Sequence, residues 1–414
     1  MKHPVTIARL VIGVFVCLTV VFVVKYVGCN PAQYLKLNLD TSTGPSGEEP
    51  RPVSKSADHK PETQGPMSAL PQHTENNSSN SDPEVKVILL TYMRSGSTLT
   101  GEVFNKHPRV FFFYEPLWTV DFSFIRAKEP AFFFHRDIMK HDPKDKTQVR
   151  LLKTNIISSI LHCDFKHMYT QPLTDPLAYL KSRTLQPFKQ CKDSHPGLQG
   201  LYGCLPVLRQ ACTSAKVIAM KVVRLPMELA ATFLKADPKV KVIHLVRDPR
   251  AVLNSRRPSG ISALYPQTAR QFCDYVAKDL KDSIPLKQQF PGRVLTVRYE
   301  DLAQRPLAFS SRLLTFARLD MPPAMTDYVI NMTSSNDVRI TEKTFETYRR
   351  NASLTAASWR RTVQFDFVQD VDRSCGELYS LAGYLPLDSQ SRLRNMNEPY
   401  FEDYRQAPIK LWDD

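Results

Sequence analysis

The sequence predicts an α/β protein built on a parallel sheet flanked by helices. Three observations lead there. Short apolar runs at residues 85–90, 110–114, 217–223, 240–246 and 294–297 have the length and the β-branched or aromatic content of buried strands. Helical spacing or helix-start signals follow most of them. Strands alternating with helices imply a parallel sheet covered on both faces. Right-handed crossovers would gather the strand C-terminal ends along one edge.

Ahead of the first strand, Lys2, His3 and Arg9 precede an apolar run over residues 10–24 that ends at Lys25. With residues 5–8 it reaches about the length of a bilayer span. No small-residue cleavage site follows, so an uncleaved signal anchor is expected. The charge balance favours a cytoplasmic tail at 1–9, a transmembrane helix at 10–24 and a lumenal remainder. Residues 25–84 read as a flexible stem, because the Ser, Pro, Glu, Asn and Thr from about 38 onward bury too little apolar surface to offset ordering entropy. A single domain is expected at 85–414.

The lumenal side fits other features. Glycosylation sequons stand at Asn76, Asn77, Asn331 and Asn351. Of eight cysteines, Cys17 lies in the apolar run and Cys29 just after it, where it is placed to bridge a homodimer. Cys163, Cys191, Cys204, Cys212, Cys273 and Cys375 remain, enough for three bridges in 15 connectivities. Their spacing does not suggest a metal. A net charge of +14 suits polyanions. In a lumenal compartment that means anionic small molecules and acidic glycans rather than nucleic acid.

The chemistry begins at residues 85–105. An apolar strand runs into Thr91, Arg94, Ser95, Gly96, Ser97 and Thr98, and then into Leu99, Val103 and Phe104 on one helix face. A strand, a small-residue turn and a helix start form an anion cradle: the amides at the turn are unpaired and the helix dipole is positive there. The spacing is not that of a nucleotide P-loop, which argues against a kinase. Next, residues 110–118 (VFFFYEPLW) place Glu115 at the end of an apolar strand, where active sites of α/β sheets lie. Residues 121–210 predict helices and long loops tied by disulfides. Lys221 sits within the strand at 217–223, with Arg224 just beyond it. The strand at 240–246 runs into Arg247, then Asp248 and Pro249, a cap and first helical residue, with Ser255 two turns on. This is a second phosphate-competent junction.

YMRSGST (residues 92–98) and RDPRAVLNS (residues 247–255) together resemble the two nucleotide motifs of the Golgi carbohydrate 6-O-sulfotransferases, which act on galactose, N-acetylglucosamine and N-acetylgalactosamine. FFFYEPLW and VRYEDLAQRP (residues 297–306) resemble further segments of that family. The resemblance implies a P-loop-like sulfotransferase fold, 3′-phosphoadenylyl sulfate (PAPS) as co-substrate and no metal. It also implies a glycan or proteoglycan acceptor, and a single-pass type II Golgi membrane protein. Tyr92, Met93, Arg94, Ser95, Gly96, Ser97 and Thr98 would hold the 5′-phosphosulfate. Arg247, Asp248, Pro249, Arg250, Ala251, Val252, Leu253, Asn254 and Ser255 would form the 3′-phosphate site. Arg94 would stabilise the leaving oxygen, although some relatives have a lysine in this loop.

Glu115 is the expected base, its pKa raised by desolvation; Glu300, Asp301 and His162 are the alternatives. Lys221 and Arg224 are candidates for binding the acceptor or the cofactor. Trp359 reads equally as a stacking platform or a core residue. A catalytically inactive glycan-binding protein on the same fold is the rival reading.

Overall fold

The computed structural model describes residues 83–126, 131–134, 136–139, 145–259, 267–335, 348–407 and 409. The expected tail, the anchor and nearly all of the stem lie outside them, with Cys17, Cys29, Asn76 and Asn77. Among the described residues no helix is long and apolar enough to cross a membrane.

Five strands form one sheet: β1 (Val85–Thr91), β2 (Val110–Tyr114), β5 (Val217–Val223), β6 (Val240–Val246) and β7 (Val294–Arg298). Between them in sequence, β3 (Ala131–Phe133) and β4 (Arg136–Met139) make a separate antiparallel pair. The main sheet runs β2-β5-β1-β6-β7, and its neighbours pair in parallel. Its strands are buried almost throughout, as their apolar composition requires. Lys86, Lys221, His244 and Arg298 are buried charged or titratable exceptions, and Lys221 bears on the site. That lysine stands level with Leu89 on one side and Tyr114 on the other.

The helices that position the site are α1 (Ser97–Asn105), α2 (Lys146–Leu161), α3 (Met227–Ala236), α4 (Pro249–Arg256), α5 (Ala269–Gln289) and α6 (Tyr299–Gln304). Asp248 caps α4 by accepting from the Arg250 amide. Thr268 opens α5 with a capping box completed by Gln271.

Residues 121–210 hold α2 and a series of shorter helical segments, and the six cysteines choose one pairing. Cys163–Cys212 and Cys191–Cys204 tie this region together, and Cys273–Cys375 ties α5 to the helix Gly376–Ala382. His195 lies beside Cys191 and Cys204, but the disulfide leaves those sulfurs no thiolate for a metal.

Three fully buried arginines fasten the C-terminal stretch. Arg250 donates to the carbonyls of Leu385 and Tyr400 and pairs with Asp248 and Asp372. Arg298 pairs with Asp301 and reaches the carbonyls of Ala382, Gly383 and Glu402. Arg360 donates to four carbonyls, those of Arg392, Leu393, Asn395 and Glu398. Trp359 is buried among them, with the Arg250 guanidinium over its ring, so it is a core residue and not a stacking platform.

Candidate functional site

Every strand of the main sheet ends on the same rim. β1 delivers the turn at residues 92–96, β2 delivers Glu115, β5 Arg224, β6 Arg247 and β7 Tyr299. Arg94, Glu115 and Arg224 all have positive φ, at 73°, 41° and 77°. Side chains other than glycine rarely accept this conformation, and clustering of such strain at one rim marks a functional site.

The first turn is knotted by Ser95. This fully buried residue donates its amide and hydroxyl to the Tyr92 carbonyl, while its oxygen accepts from the Tyr92 amide. Ser95 therefore shapes the loop. Gly96 has φ 82°, and a Cβ there would lie 2.1 Å from the Tyr299 ring. Glycine is required on both counts. Gly96 gives α1 no side-chain cap, and no acidic residue lies in the first turn. The helix N-terminus at Ser97 and Thr98 stays electropositive. The Met93 sulfur accepts from Arg224 at 3.2 Å. The Tyr92 side chain is buried inward, and the Met93 carbonyl accepts from Arg256.

The two sequence junctions meet. Arg94 Nε donates to Ser255 Oγ at 2.9 Å, and an Arg247 terminal nitrogen donates to the Arg94 carbonyl at 3.0 Å. The Arg247 guanidinium lies 4.6 Å above the Tyr299 ring, and its buried Nε has no hydrogen-bond partner. Burial, then Arg247 and Arg349, bring the Arg94 pKa down to about 10, still cationic at neutral pH. Crowded arginines around an unsatisfied N–H and an uncapped helix start suit a phosphate-bearing ligand.

The rest of the second motif turns inward. Asp248, Pro249, Arg250, Ala251, Val252 and Leu253 are all buried. The Asp248 and Arg250 side chains are occupied as described, so these six residues hold α4 and present no free group. Arg247, Asn254 and Ser255 are the half-buried members.

Beside the first turn, Lys221 Nζ lies 2.6 Å from Glu115 Oε1 and 3.5 Å from Thr98 Oγ1. Arg224 lies 3.5 Å from Glu115 Oε2 and 2.6 Å from Asp121. Burial alone would raise the Glu115 pKa, as its place after an apolar strand predicts. Lys221 and Arg224 outweigh that and hold the carboxyl below its ordinary value. Burial would likewise lower the Lys221 ammonium, but Glu115 and Tyr114 hold it above.

The alternative bases are placed elsewhere. Glu300 and Asp301 are buried, Glu300 accepting from the Asp248 amide and the Tyr384 hydroxyl, and Asp301 pairing with Arg298. His162 is exposed beside Asp237, which precedes β6 and so lies at the opposite edge of the sheet.

Next to the turn opens a cleft of about 560 Å³, lined among others by Met93, Asp121, Arg224, Arg256, Gln271 and Tyr275. Arg256 is buried, with its guanidinium 4.5 Å above Phe272. Its place was legible only as the neighbour of Ser255. Asp121 and Arg349 carried no sequence signal at all.

A profile of the sulfotransferase family matches residues 87–323. Carbohydrate sulfotransferase 4 of Mus musculus is 29% identical over 357 residues, covering 76% of this chain and 85% of that protein. Carbohydrate sulfotransferase 1 of Danio rerio is 27% identical over 367 residues, with 80% and 85% covered. Carbohydrate sulfotransferase 6 of Homo sapiens is 26% identical over 351 residues, with 76% and 84% covered. The profile spans both junctions, Glu115 and the main sheet from Val87 onward, more than half of the chain, and the protein belongs to the sulfotransferase family.

Proposed function

We propose that the protein transfers a sulfuryl group from PAPS to the 6-hydroxyl of galactose, N-acetylglucosamine or N-acetylgalactosamine in a glycan or proteoglycan chain. One observation carries the reading: Arg94 and Ser255, from separate strand-to-helix junctions, bond directly, so both junctions can grip one doubly phosphorylated nucleotide. The carbohydrate acceptors named for the relatives support the sugar. The 6-position rests on the sequence resemblance.

PAPS supplies an activated sulfuryl group whose bridging S–O bond breaks as a new S–O bond forms to the sugar oxygen. The turn at 94–98 and the start of α1 take the 5′ end; Arg247 and Ser255 take the 3′-phosphate. Glu115 accepts the hydroxyl proton. Its low pKa makes it a weak base, which suffices once the oxygen has begun to bond to sulfur and become acidic. Lys221 stands within reach of Thr98 and offers, from β5, an ammonium beside a loop that has no lysine. It remains protonated and can donate to the leaving oxygen, while Arg94 stabilises charge there. Arg224 orients Glu115 and borders the cleft, which takes the acceptor sugar.

The three disulfides fit an oxidising compartment. With the charge pattern at residues 1–25 they support a single-pass type II Golgi protein with its catalytic domain lumenal. Asn331 and Asn351 are exposed and are proposed glycan sites. Asn351 caps a helix through Oδ1, which leaves its nitrogen to carry the sugar.

Incubating the soluble domain with sulfur-labelled PAPS and defined disaccharides tests the reading. Label at the 6-position of one acceptor is expected. A folded protein that labels none and binds no adenosine 3′,5′-bisphosphate overturns it.

A further inference from the structure

Behind the first turn lies a buried polar cluster that the proposed chemistry does not use. The Tyr92 hydroxyl donates to Asp279 Oδ2 at 2.8 Å and lies 2.8 Å from His244 Nε2. Since the hydroxyl's one proton goes to the carboxylate, His244 must donate from Nε2. Asp279 Oδ1 accepts the Met227 amide at 2.8 Å. His244 is fully buried and Asp279 nearly so, in a layer otherwise made of Phe272, Tyr275 and the β-strands. A carboxylate in such a place is costly unless its oxygens are satisfied.

The partners sit on three different site-bearing segments. Tyr92 begins the turn that carries Arg94. Met227 follows the strained turn of Arg224 and opens α3. His244 stands on β6, three residues before Arg247. Asp279 itself belongs to α5 and touches none of the groups proposed to bind the nucleotide.

We propose that Asp279 is a positioning residue: its two oxygens fix the Tyr92 turn against the Arg224 turn, and through the Tyr92 hydroxyl and His244 against the β6 end that carries Arg247. The inference rests on the nucleotide reading for its affinity measurement only. A purely stabilising role would lower the melting temperature and leave affinity alone. A positioning role couples two turns that are far apart in sequence.

The test compares Tyr92→Phe, Asp279→Asn and, as a control on the same helix, Ser283→Ala. Amide hydrogen exchange is measured at residues 93–97 and 225–228, with calorimetric binding of adenosine 3′,5′-bisphosphate. Tyr92→Phe is expected to speed exchange at both turns together and to weaken binding about tenfold, the scale of one hydrogen bond to a charged group. Asp279→Asn is expected to do the same, and the double variant no more than the stronger single one. Ser283→Ala should leave affinity and both turns unchanged. Exchange at parental rates in folded Tyr92→Phe overturns the proposal. So does faster exchange with affinity within about twofold of the parent, which would make Asp279 merely structural. If the parent protein binds no bisphosphate, the nucleotide reading falls, and the exchange measurement alone decides the role of Asp279.

Discussion

Arg94 Nε and Ser255 Oγ are 161 positions apart in sequence and 2.9 Å apart in space. That contact makes one site of two junctions, and the Arg247 bond to the Arg94 carbonyl doubles it.

Arg247→Ala should weaken binding of adenosine 3′,5′-bisphosphate by about 10- to 100-fold, the loss of a hydrogen bond to a charged group. Arg247→Lys should not restore it, because an ammonium cannot serve the carbonyl and a phosphate in one plane. Calorimetry on both variants checks this.

Glu115→Gln should lower kcat by about 10²- to 10⁴-fold, the usual worth of a general base. Nucleotide affinity should hold or rise, since Lys221 and Arg224 lose a competing anion. Because the Glu115 carboxyl is held below 4.5, its protonation should reduce activity in the parent only below that pH. A pH–rate profile of the parent tests the last point.

Gly96→Ala should cost at least about 2 kcal/mol, combining a left-handed alanine with a clash against Tyr299. A thermal melt measures the loss, and nucleotide binding should disappear with it.

Glu300 gives a pH signature. Burial first, then Asp248, push its pKa from 4.5 to about 7. A raised folded-state pKa favours the fold fully below 4.5, and that contribution is lost as pH climbs through about 7. Glu300→Gln mimics the protonated acid. It should remove this decline, so the variant should gain on the parent between pH 5 and pH 8. Melting temperatures across that range decide the matter.

Replacing Cys273 and Cys375 by serine should cost about 2–5 kcal/mol, because the bridge closes a span of 102 residues. Melts with and without reductant compare the parent with the double variant.

The strands were legible because each is a run of apolar residues that local rules recognise, and Asp248-Pro249 announced α4. What sequence could not show is which charges neutralise each other. The apolar strand before Glu115 was visible and argued for a raised pKa; Lys221, 106 positions away, reverses it. Arg250 looked like a phosphate ligand because it stands in the same motif as Arg247 and Ser255. Its partners Asp372, Leu385 and Tyr400 lie 122 to 150 positions on, where no periodicity points. Tyr92 sits in the motif but faces Asp279, 187 positions away.

The buried arginines have a consequence for biosynthesis. Arg250, Arg298 and Arg360 all donate to carbonyls between Ala382 and Glu402, which are synthesised after every strand of the main sheet. Until then Arg250 and Arg298 have only the neighbouring carboxylates of Asp248 and Asp301, and Arg360 lacks the four carbonyls it donates to, although both strand-to-helix junctions were translated long before. A premature stop near residue 380 would spare every recognisable motif and still give a product for quality control rather than an enzyme.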